Sequence, residues 1–232
     1  MVMATRQSGG TRSAVVIMAK APHPGQVKTR LCPPLTHEEA AALYRCFLLD
    51  KIAQIGALQG TTPVLSYATA DAKPAFEALI PPHFRLIPQL GDDLGARLLS
   101  TFDQLFQLGF TQVMAVDSDT PTLPTAYLRH ALSLISAPEN DVVLGPTEDG
   151  GYYLIGLRRP HRELFERMPW STPQVLPETM HRSQQGGLTV ACAPCWYDVD
   201  TPDDFARLRR SLDHVQDGLA RHTRRFVQEL HH

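Results

Sequence analysis

Apolar residues along this chain fall into two patterns: short continuous runs, and longer stretches in which they recur every three or four positions. A short run is typical of a strand buried on both faces, and the longer spacing is typical of an amphipathic helix. The predicted strands are 14–19, 63–67, 84–87, 112–116, 141–144, 152–155 and 188–193. The predicted helices are 36–58, 71–79, 94–108, 125–135 and 202–212, with short helical pieces at 161–168 and 173–181. This repeated alternation predicts an α/β fold, a mostly parallel (mixed) sheet with helices on both faces.

Two of the predicted helices carry signals at their N-termini. Thr36 at the N-cap and Glu39 three residues later form a capping box. Pro202 lies in the first turn of the last predicted helix, and either Asp200 or Thr201 is a suitable N-cap for it. We favour Asp200 as this cap, which leaves Asp198 for another role.

The 232 residues contain no internal repeat and no Ser/Gly-rich linker, which favours one folded domain. The polar segment 1–13 is predicted to be a disordered N-terminal tail, and 14–216 is predicted to be the domain. The basic segment 217–232 is predicted to be a helix or a tail.

Composition excludes several classes of protein. With 43% hydrophobic and 20% charged residues, the chain is not disordered throughout, and its formal net charge of −2 does not favour binding to nucleic acid or to an anionic membrane. No run approaches the roughly 18 apolar residues of a membrane-spanning helix, and the N-terminus lacks the pattern of a secretion signal. We therefore expect a cytoplasmic protein with small-molecule partners, whose oligomeric state the sequence does not predict.

Two cysteines have the spacing of a redox or zinc pair. Cys192 and Cys195 are separated by two residues, but Cys32 and Cys46 do not supply the other half of a tetrahedral site. The other interpretation is two small residues in a strand, with Pro194 at a bend. We favour that interpretation, with all four thiols reduced.

Polar residues that could bind a ligand or transfer a proton follow the predicted strands. Ligands bind at the carboxyl ends of the strands in such sheets. The loop after the first strand carries Lys20, Lys28 and Arg30, and Gly25 allows close approach of the backbone to a ligand. Three cations in one loop suit a pyrophosphate, although no P-loop motif is present. The alternative is a solvated basic loop.

Carboxylates follow three later strands. Asp117 and Asp119 come directly after the strand 112–116 and can bind one Mg²⁺ or Mn²⁺, with Asp198 as a further metal ligand. Glu148 and Asp149 precede Gly150 and Gly151, and either carboxylate could remove a proton from an acceptor hydroxyl. A plain turn is the alternative at each place, since Asp and Ser also bond their own backbone at strand exits.

Hydrolase chemistry is disfavoured by the same residues. There is no Gly-x-Ser-x-Gly elbow, and Ser118 lies between two aspartates that oppose formation of an alkoxide. The ten histidines show no His-x-x-x-His spacing, so no zinc site is predicted.

In combination, these segments resemble the bacterial family of glycosyltransferase A-type (GT-A) proteins described as a domain of unknown function (DUF2064). Some members of that family are named glycosyltransferases of arsenosugar biosynthesis. The resemblance covers about residues 14–212. The segments that carry it are Lys20-Ala21-Pro22, Lys28-Thr29-Arg30-Leu31, Gly91 to Leu98, Asp117-Ser118-Asp119-Thr120-Pro121, Gly145 to Tyr153, Trp170-Ser171-Thr172 and Asp198-Val199-Asp200-Thr201-Pro202.

The resemblance implies a nucleotide-diphospho-sugar transferase fold and a role for each matching residue. It implies that Lys20, Lys28 and Arg30 contact phosphate. The residues Asp93, Leu94, Gly95 and Arg97 would lie near the nucleotide or its ribose. Asp117, Asp119 and Asp198 would lie at a divalent metal. Residues of the donor or acceptor loop would be Asp149, Gly150, Gly151 and Tyr152.

The leading functional hypothesis is a metal-dependent glycosyltransferase that uses a nucleotide-diphosphate sugar and a small-molecule acceptor. The alternative is a nucleotidyltransferase, similar to guanylyltransferases, that acts on a phosphorylated small molecule. A second alternative is a nucleotide-binding module without catalytic activity. Glycosyl transfer would release a nucleoside diphosphate, whereas nucleotidyl transfer would release pyrophosphate.

Overall fold

A computed structural model describes residues 12–215 and 218–230. Seven strands form one sheet in the order β3-β2-β1-β4-β6-β5-β7, in which β6 is antiparallel to both neighbours and the other pairs are parallel. The strands are β1 (Ser13–Ala19), β2 (Thr61–Tyr67), β3 (Arg85–Pro88), β4 (Gln112–Val116), β5 (Val142–Pro146), β6 (Tyr152–Leu157) and β7 (Val190–Cys192). The helices are α1 (His37–Gly56), α2 (Lys73–Glu77), α3 (Leu94–Gln107), α4 (Thr125–Ser136), α5 (Val175–Gln185), α6 (Pro202–Ser211) and α7 (Arg221–Glu229). The predicted α/β fold with a mixed, mostly parallel sheet is confirmed.

The sheet is buried on both faces by two hydrophobic clusters, as the uninterrupted apolar runs predict. Along β1, Val15 and Ile17 pack in one cluster with α1, whereas Ala14 and Val16 pack in the other with α3. This alternation follows from the two-residue period of a strand. The carboxyl ends of β1 and β4, which pair in parallel, therefore meet at one edge.

Local signals locate the starts of α1 and α6 correctly, but they identify the wrong N-cap for α6. Thr36 caps α1 and forms the predicted capping box with Glu39. At α6, Thr201 is the N-cap and forms a capping box with Asp204. The interpretation of Asp200 as this cap is wrong, because the hydroxyl of Thr201 accepts the N–H of Asp204 and the Asp200 carboxylate pairs with Lys28.

The C-terminal segment holds a helix that packs against α1. Helix α7 begins at Arg221, and the carboxylate of the buried Asp50 in α1 accepts hydrogen bonds from its first turn. The N–H groups of His222 and Thr223 lie 2.8 and 2.9 Å from this carboxylate, and the Thr223 hydroxyl lies 2.6 Å from it. A negative charge here also interacts favourably with the helix dipole.

Of the predicted N-terminal tail, residues 1–11 lie outside the described residues, and Ser13 begins β1. The domain boundaries at 13 and 216 stay predictions. No described helix combines the length and the apolar composition needed to cross a membrane.

Replacing Asp50 with Ala removes both carboxylate oxygens, which accept three hydrogen bonds at the start of α7, and leaves the buried donors of Thr223 unpaired. We expect Asp50→Ala to lower the free energy of unfolding by about 2 kcal/mol, measured by urea denaturation. The exposed Asp71 offers a control, and Asp71→Ala should change the free energy by less than about 0.5 kcal/mol. Equal effects of the two substitutions would show that the Asp50 bonds do not hold α7.

Candidate functional site

A cavity of about 610 Å³ opens at the carboxyl ends of β1 and β4. This is the position expected of a ligand site in an open α/β sheet. Its wall includes the loop after β1, the turn after β4, the start of α3 and the turn between β5 and β6. The predicted site residues that line it are Lys20, Lys28, Arg30, Asp93, Arg97, Asp117, Asp119, Asp149, Gly151 and Tyr152.

The ammonium group of Lys28 is buried between two carboxylates. Its Nζ atom lies 2.6 Å from Oδ1 of Asp200 and 2.9 Å from Oδ1 of Asp119, and the Lys28 side chain is 5% exposed. Burial disfavours the charged amine, but the two carboxylates outweigh this effect and raise the pKa of Lys28 above its ordinary value. Arg30 is exposed and lies 3.7 Å from the other oxygen of Asp200.

Backbone geometry also distinguishes Lys28. Its φ of 50° places a non-glycine residue in the left-handed region. Such a conformation costs of order 1–3 kcal/mol and persists only where the surroundings require it. Here the left-handed residue carries the ammonium group that pairs with Asp119 and Asp200.

Lys51 of α1 stabilises the turn after β4 through hydrogen bonds to Thr120. The Lys51 ammonium donates to the hydroxyl and the carbonyl of Thr120, at 2.8 and 3.2 Å, and lies 3.7 Å from Asp117. The Thr120 hydroxyl in turn donates to Asp117 at 2.7 Å. Burial lowers the pKa of Lys51 against the opposing effect of Asp117, and burial raises the pKa of Asp117 to about 6.

Tyr44 of α1 joins this turn to the loop after β1. Its buried hydroxyl accepts the backbone N–H of Lys20 at 3.1 Å and lies 3.0 Å from the hydroxyl of Ser118. Sequence reasoning missed Tyr44 and Lys51. The available signal was a lysine on the apolar face of α1, four residues before Ile55, because lysine is rarely buried without a partner.

The segment before α6 brings more carboxylates to the same edge. The N–H of Val199 donates to the carbonyl of Asp119 at 3.0 Å, which places Asp198 and Asp200 beside the turn after β4. Burial, followed by the charges of Asp200, Asp149 and Asp117, raises the pKa of Asp198 to about 7. Carboxylates that repel one another in this way suit a divalent cation, and oxygen is the donor that Mg²⁺ and Mn²⁺ prefer.

A complete metal site is nevertheless not assembled. Within 12–215 and 218–230, no group of three or more His, Cys, Asp or Glu side chains is arranged to hold a metal ion. Asp119 and Asp200 are joined by Lys28 instead, although the buried Oδ1 of Asp119 accepts no well-formed hydrogen bond. The donor chemistry fits a divalent cation, and the metal role of Asp117, Asp119 and Asp198 stays a prediction.

The two carboxylates of the β5–β6 turn face different surroundings. Asp149 lines the cavity, and its Oδ1 atom accepts the Thr147 hydroxyl at 2.6 Å and the Gly151 N–H at 3.1 Å. Glu148 does not line the cavity and forms a bidentate ion pair with Arg207, whose two terminal nitrogens lie 2.5 and 2.9 Å from the carboxylate oxygens. The guanidinium occupies both oxygens of Glu148, so the geometry favours Asp149 over Glu148 as a proton acceptor.

Three predicted glycines and Asp198 are not part of the cavity wall. A Cβ at Gly95 would lie 2.4 Å from the carbonyl oxygen of Phe165, and at Gly150 (φ 90°) it would lie 2.5 Å from that of Pro173. Both glycines therefore allow close packing of backbone. Gly25 has a φ of 74° and open space around it.

Residues 51–172 match the family described as "Uncharacterized protein conserved in bacteria (DUF2064)". The chain is 31% identical to a protein from Desulfovibrio desulfuricans G20, provisionally named a nucleotide-diphospho-sugar transferase, over 95% of each chain and with a TM-score of 0.86. The chain belongs to the DUF2064 family.

More distant structures share the fold of this DUF2064 protein. CMP:2-keto-3-deoxy-manno-octonic acid synthetase complexed with CTP matches with a TM-score of 0.58 and 13% identity, over 88% of this chain and 99% of that one. A protein from Mycobacterium tuberculosis H37Rv in complex with manganese matches with a TM-score of 0.52 and 17% identity, over 86% of this chain and 98% of that one. None of the curated proteins compared matches the chain. These matches establish the nucleotide-diphospho-sugar transferase-like fold.

The four cysteines of this DUF2064 protein are free. Cys192 ends β7 and is exposed, as is Cys195. Burial raises the pKa of both thiols, which makes them less reactive than an ordinary thiol at neutral pH.

The raised pKa of Asp198 predicts a pH dependence of stability in metal-free buffer. The folded protein holds this proton up to about pH 7, whereas the unfolded chain loses it near pH 4, so ionisation of Asp198 weakens folding as pH rises between these values. Asp198→Asn should therefore stabilise the protein at pH 8, by on the order of 1 kcal/mol because the side chain is partly exposed, and have little effect at pH 4. Urea denaturation at both pH values, with Asp71→Asn as control, measures this. A variant less stable than the parent at pH 8 would contradict it.

Proposed function

We propose that this protein is a glycosyltransferase that moves a sugar from a nucleoside diphosphate to a small-molecule acceptor. The observation that carries the proposal is the composition of one cavity. Cations that suit a diphosphate lie in the loop after β1, and Asp149 lies on the wall of the same cavity without a cationic partner among its hydrogen bonds. One cavity can therefore both stabilise a leaving diphosphate and accept a proton from the acceptor hydroxyl.

The diphosphate is assigned to Lys20, Lys28 and Arg30. Arg30 and Lys20 are exposed at the cavity and available to phosphate oxygens. Lys28 keeps its positive charge although it is buried, because Asp119 and Asp200 raise its pKa. Charge-assisted hydrogen bonds from these three residues stabilise the negative charge that develops on the leaving diphosphate.

A divalent metal is assigned to the neighbouring carboxylates, Asp119 with Asp198 or Asp200. When bound, Mg²⁺ or Mn²⁺ would supply further positive charge to the diphosphate. The protein's part is to hold these carboxylates together, which it does through the Val199 to Asp119 backbone bond and through the support of Lys51 under the turn.

Asp149 is assigned as the base. Its Oδ1 atom is held by Thr147 and Gly151, which fixes the carboxylate while the second oxygen is not used in those bonds. An acceptor hydroxyl transfers its proton to Asp149 as its oxygen bonds to the anomeric carbon. The bond from that carbon to the diphosphate oxygen breaks, and a nucleoside diphosphate leaves.

The second candidate is nucleotidyl transfer. It is favoured by the shared fold with a synthetase that was solved with CTP, and by three cations in one loop, which also suit a triphosphate. In that reaction a substrate phosphate attacks the α-phosphorus and pyrophosphate leaves. The narrower resemblance to arsenosugar glycosyltransferases stays a prediction, since none of the lining residues marks an arsenic ligand.

The experiment compares products from nucleotide sugars and from nucleoside triphosphates, each with Mg²⁺ or Mn²⁺. Phosphorus NMR should detect release of a nucleoside diphosphate from at least one nucleotide sugar, with water or an added glycoside as acceptor. Pyrophosphate release from a triphosphate would support nucleotidyl transfer instead. If no nucleotide reacts and none raises the melting temperature, both proposals fail.

Asp149 and Glu148 provide a matched pair of variants for this assay. Asp149→Asn keeps the shape of the side chain but cannot accept the proton, so kcat should fall by about 10²- to 10⁴-fold. Glu148→Gln should leave kcat nearly unchanged, because Glu148 pairs with Arg207 away from the cavity wall. Equal losses in the two variants would remove Asp149 from the role of base.

A further inference from the structure

Trp170 lines the cavity from a loop whose backbone is strained on both sides of it. We define the Trp170 loop as residues 167–172, which lie between β6 and α5. Arg167 (φ 53°) and Ser171 (φ 62°) are both non-glycine residues in the left-handed region. Strain of this kind, of order 1–3 kcal/mol for each residue, concentrates at ligand sites.

One arginine of α5 binds the first residue of the Trp170 loop and the segment just before it. The guanidinium of Arg182 donates to the carbonyls of Glu163 at 3.0 Å, of Arg167 at 3.1 Å, and of Glu166. Glu178 fixes the guanidinium through an ion pair of 2.6 Å. The hydrogen bond to Arg167 therefore fixes the start of the loop relative to α5.

Two contacts fix the indole of Trp170 itself. Its Nε1 atom would lie 2.8 Å from a Cβ at Gly95, so the absence of a side chain at Gly95 lets the indole reach the start of α3. Tyr152 meets it edge-on, with ring centroids 6.5 Å apart and an interplanar angle of 79°. These two contacts position the half-buried indole, which forms part of the cavity wall, as does the exposed Leu94.

The residues that directly follow the Trp170 loop contact the turn that carries Asp149. Gly150 packs against Pro173, and its carbonyl accepts the N–H of Leu176 at 2.8 Å. An acceptor whose hydroxyl meets Asp149 therefore lies close to the segment that carries Trp170, which lines the same cavity.

We propose that Trp170 forms the acceptor subsite, and that the acceptor is a cyclic polyol of the pyranoside type. Such a ring has an apolar C–H face that stacks on an indole, and hydroxyl groups around its rim that reach Asp149 and the polar loop residues Ser171 and Thr172. This inference rests on the proposed function and names the acceptor class for it.

The chain has two tryptophans, which allows a direct optical test. Trp196 packs against Tyr127 and Tyr197 and does not line the cavity, so Trp196→Phe leaves Trp170 as the only indole. Methyl glucoside, methyl galactoside and methyl mannoside are titrated to tens of millimolar, with Mg²⁺ and the nucleoside diphosphate that most raises the melting temperature. At least one should change the Trp170 emission with saturation, and the reciprocal Trp170→Phe variant should show no saturable change.

Kinetics add a second readout. Trp170→Ala should raise the acceptor KM of the responding glycoside about tenfold, with the nucleotide-induced melting shift unchanged. Trp170→Phe, which keeps an aromatic ring, should restore part of this loss.

Three results overturn the inference. If no glycoside changes Trp170 emission although a nucleotide raises the melting temperature, the subsite is wrong and the proposed function stands. If the nucleotide alone changes Trp170 emission and the glycosides do not, the indole belongs to the nucleotide site. If neither nucleotide nor glycoside binds, the proposed function fails as well.

Discussion

The candidate site depends on one buried interaction, the ammonium group of Lys28 between Asp119 and Asp200. It joins three parts of the chain: the loop after β1, the turn after β4 and the segment before α6. Burying the Lys28 ammonium costs several kcal/mol, and its attraction to the two partly exposed carboxylates offsets that cost only when the geometry is good. An apolar contact would join the same segments without that cost. We therefore explain these charges by ligand binding. A phosphate can replace a carboxylate as the partner of Lys28, and a cation can replace Lys28 as the partner of the carboxylates.

Helix α1 supports this interaction through Lys51, and the preceding residue, Asp50, connects α1 to α7. Lys51 holds Thr120 and so shapes the turn that carries Asp119, while Asp50 holds the first turn of α7. The capping box at Thr36 defines where α1 begins, and the burial of Phe47 and Ile55 fixes its rotation against the sheet. The position of the turn after β4 is thus a consequence of how α1 packs, and a substitution that shifts α1 would also change the cavity.

The sequence predicts those features that depend on local periodicity. Strand β4, helix α3 and the clustering of Lys28, Asp119 and Asp149 at one edge all follow from apolar spacing and from the geometry of parallel strands. Features that depend on partners distant in the chain were missed. Asp200 was interpreted as a local cap because its partner Lys28 is 172 residues away. Similarly, Glu148 and Asp149 are adjacent and alike in chemistry, so the sequence does not distinguish them. In the folded turn Glu148 pairs with Arg207, whereas Asp149 lines the cavity.

The most direct test of this account is a crystal structure with Mn²⁺ and the nucleotide that stabilises the protein most. Anomalous scattering locates the manganese independently of the protein density. We expect manganese bound to Asp119 together with Asp198 or Asp200, and the Lys28 ammonium in contact with a phosphate oxygen. A nucleotide bound away from this cavity would contradict it. So would an ordered nucleotide in the cavity whose phosphates touch neither Lys28 nor Arg30.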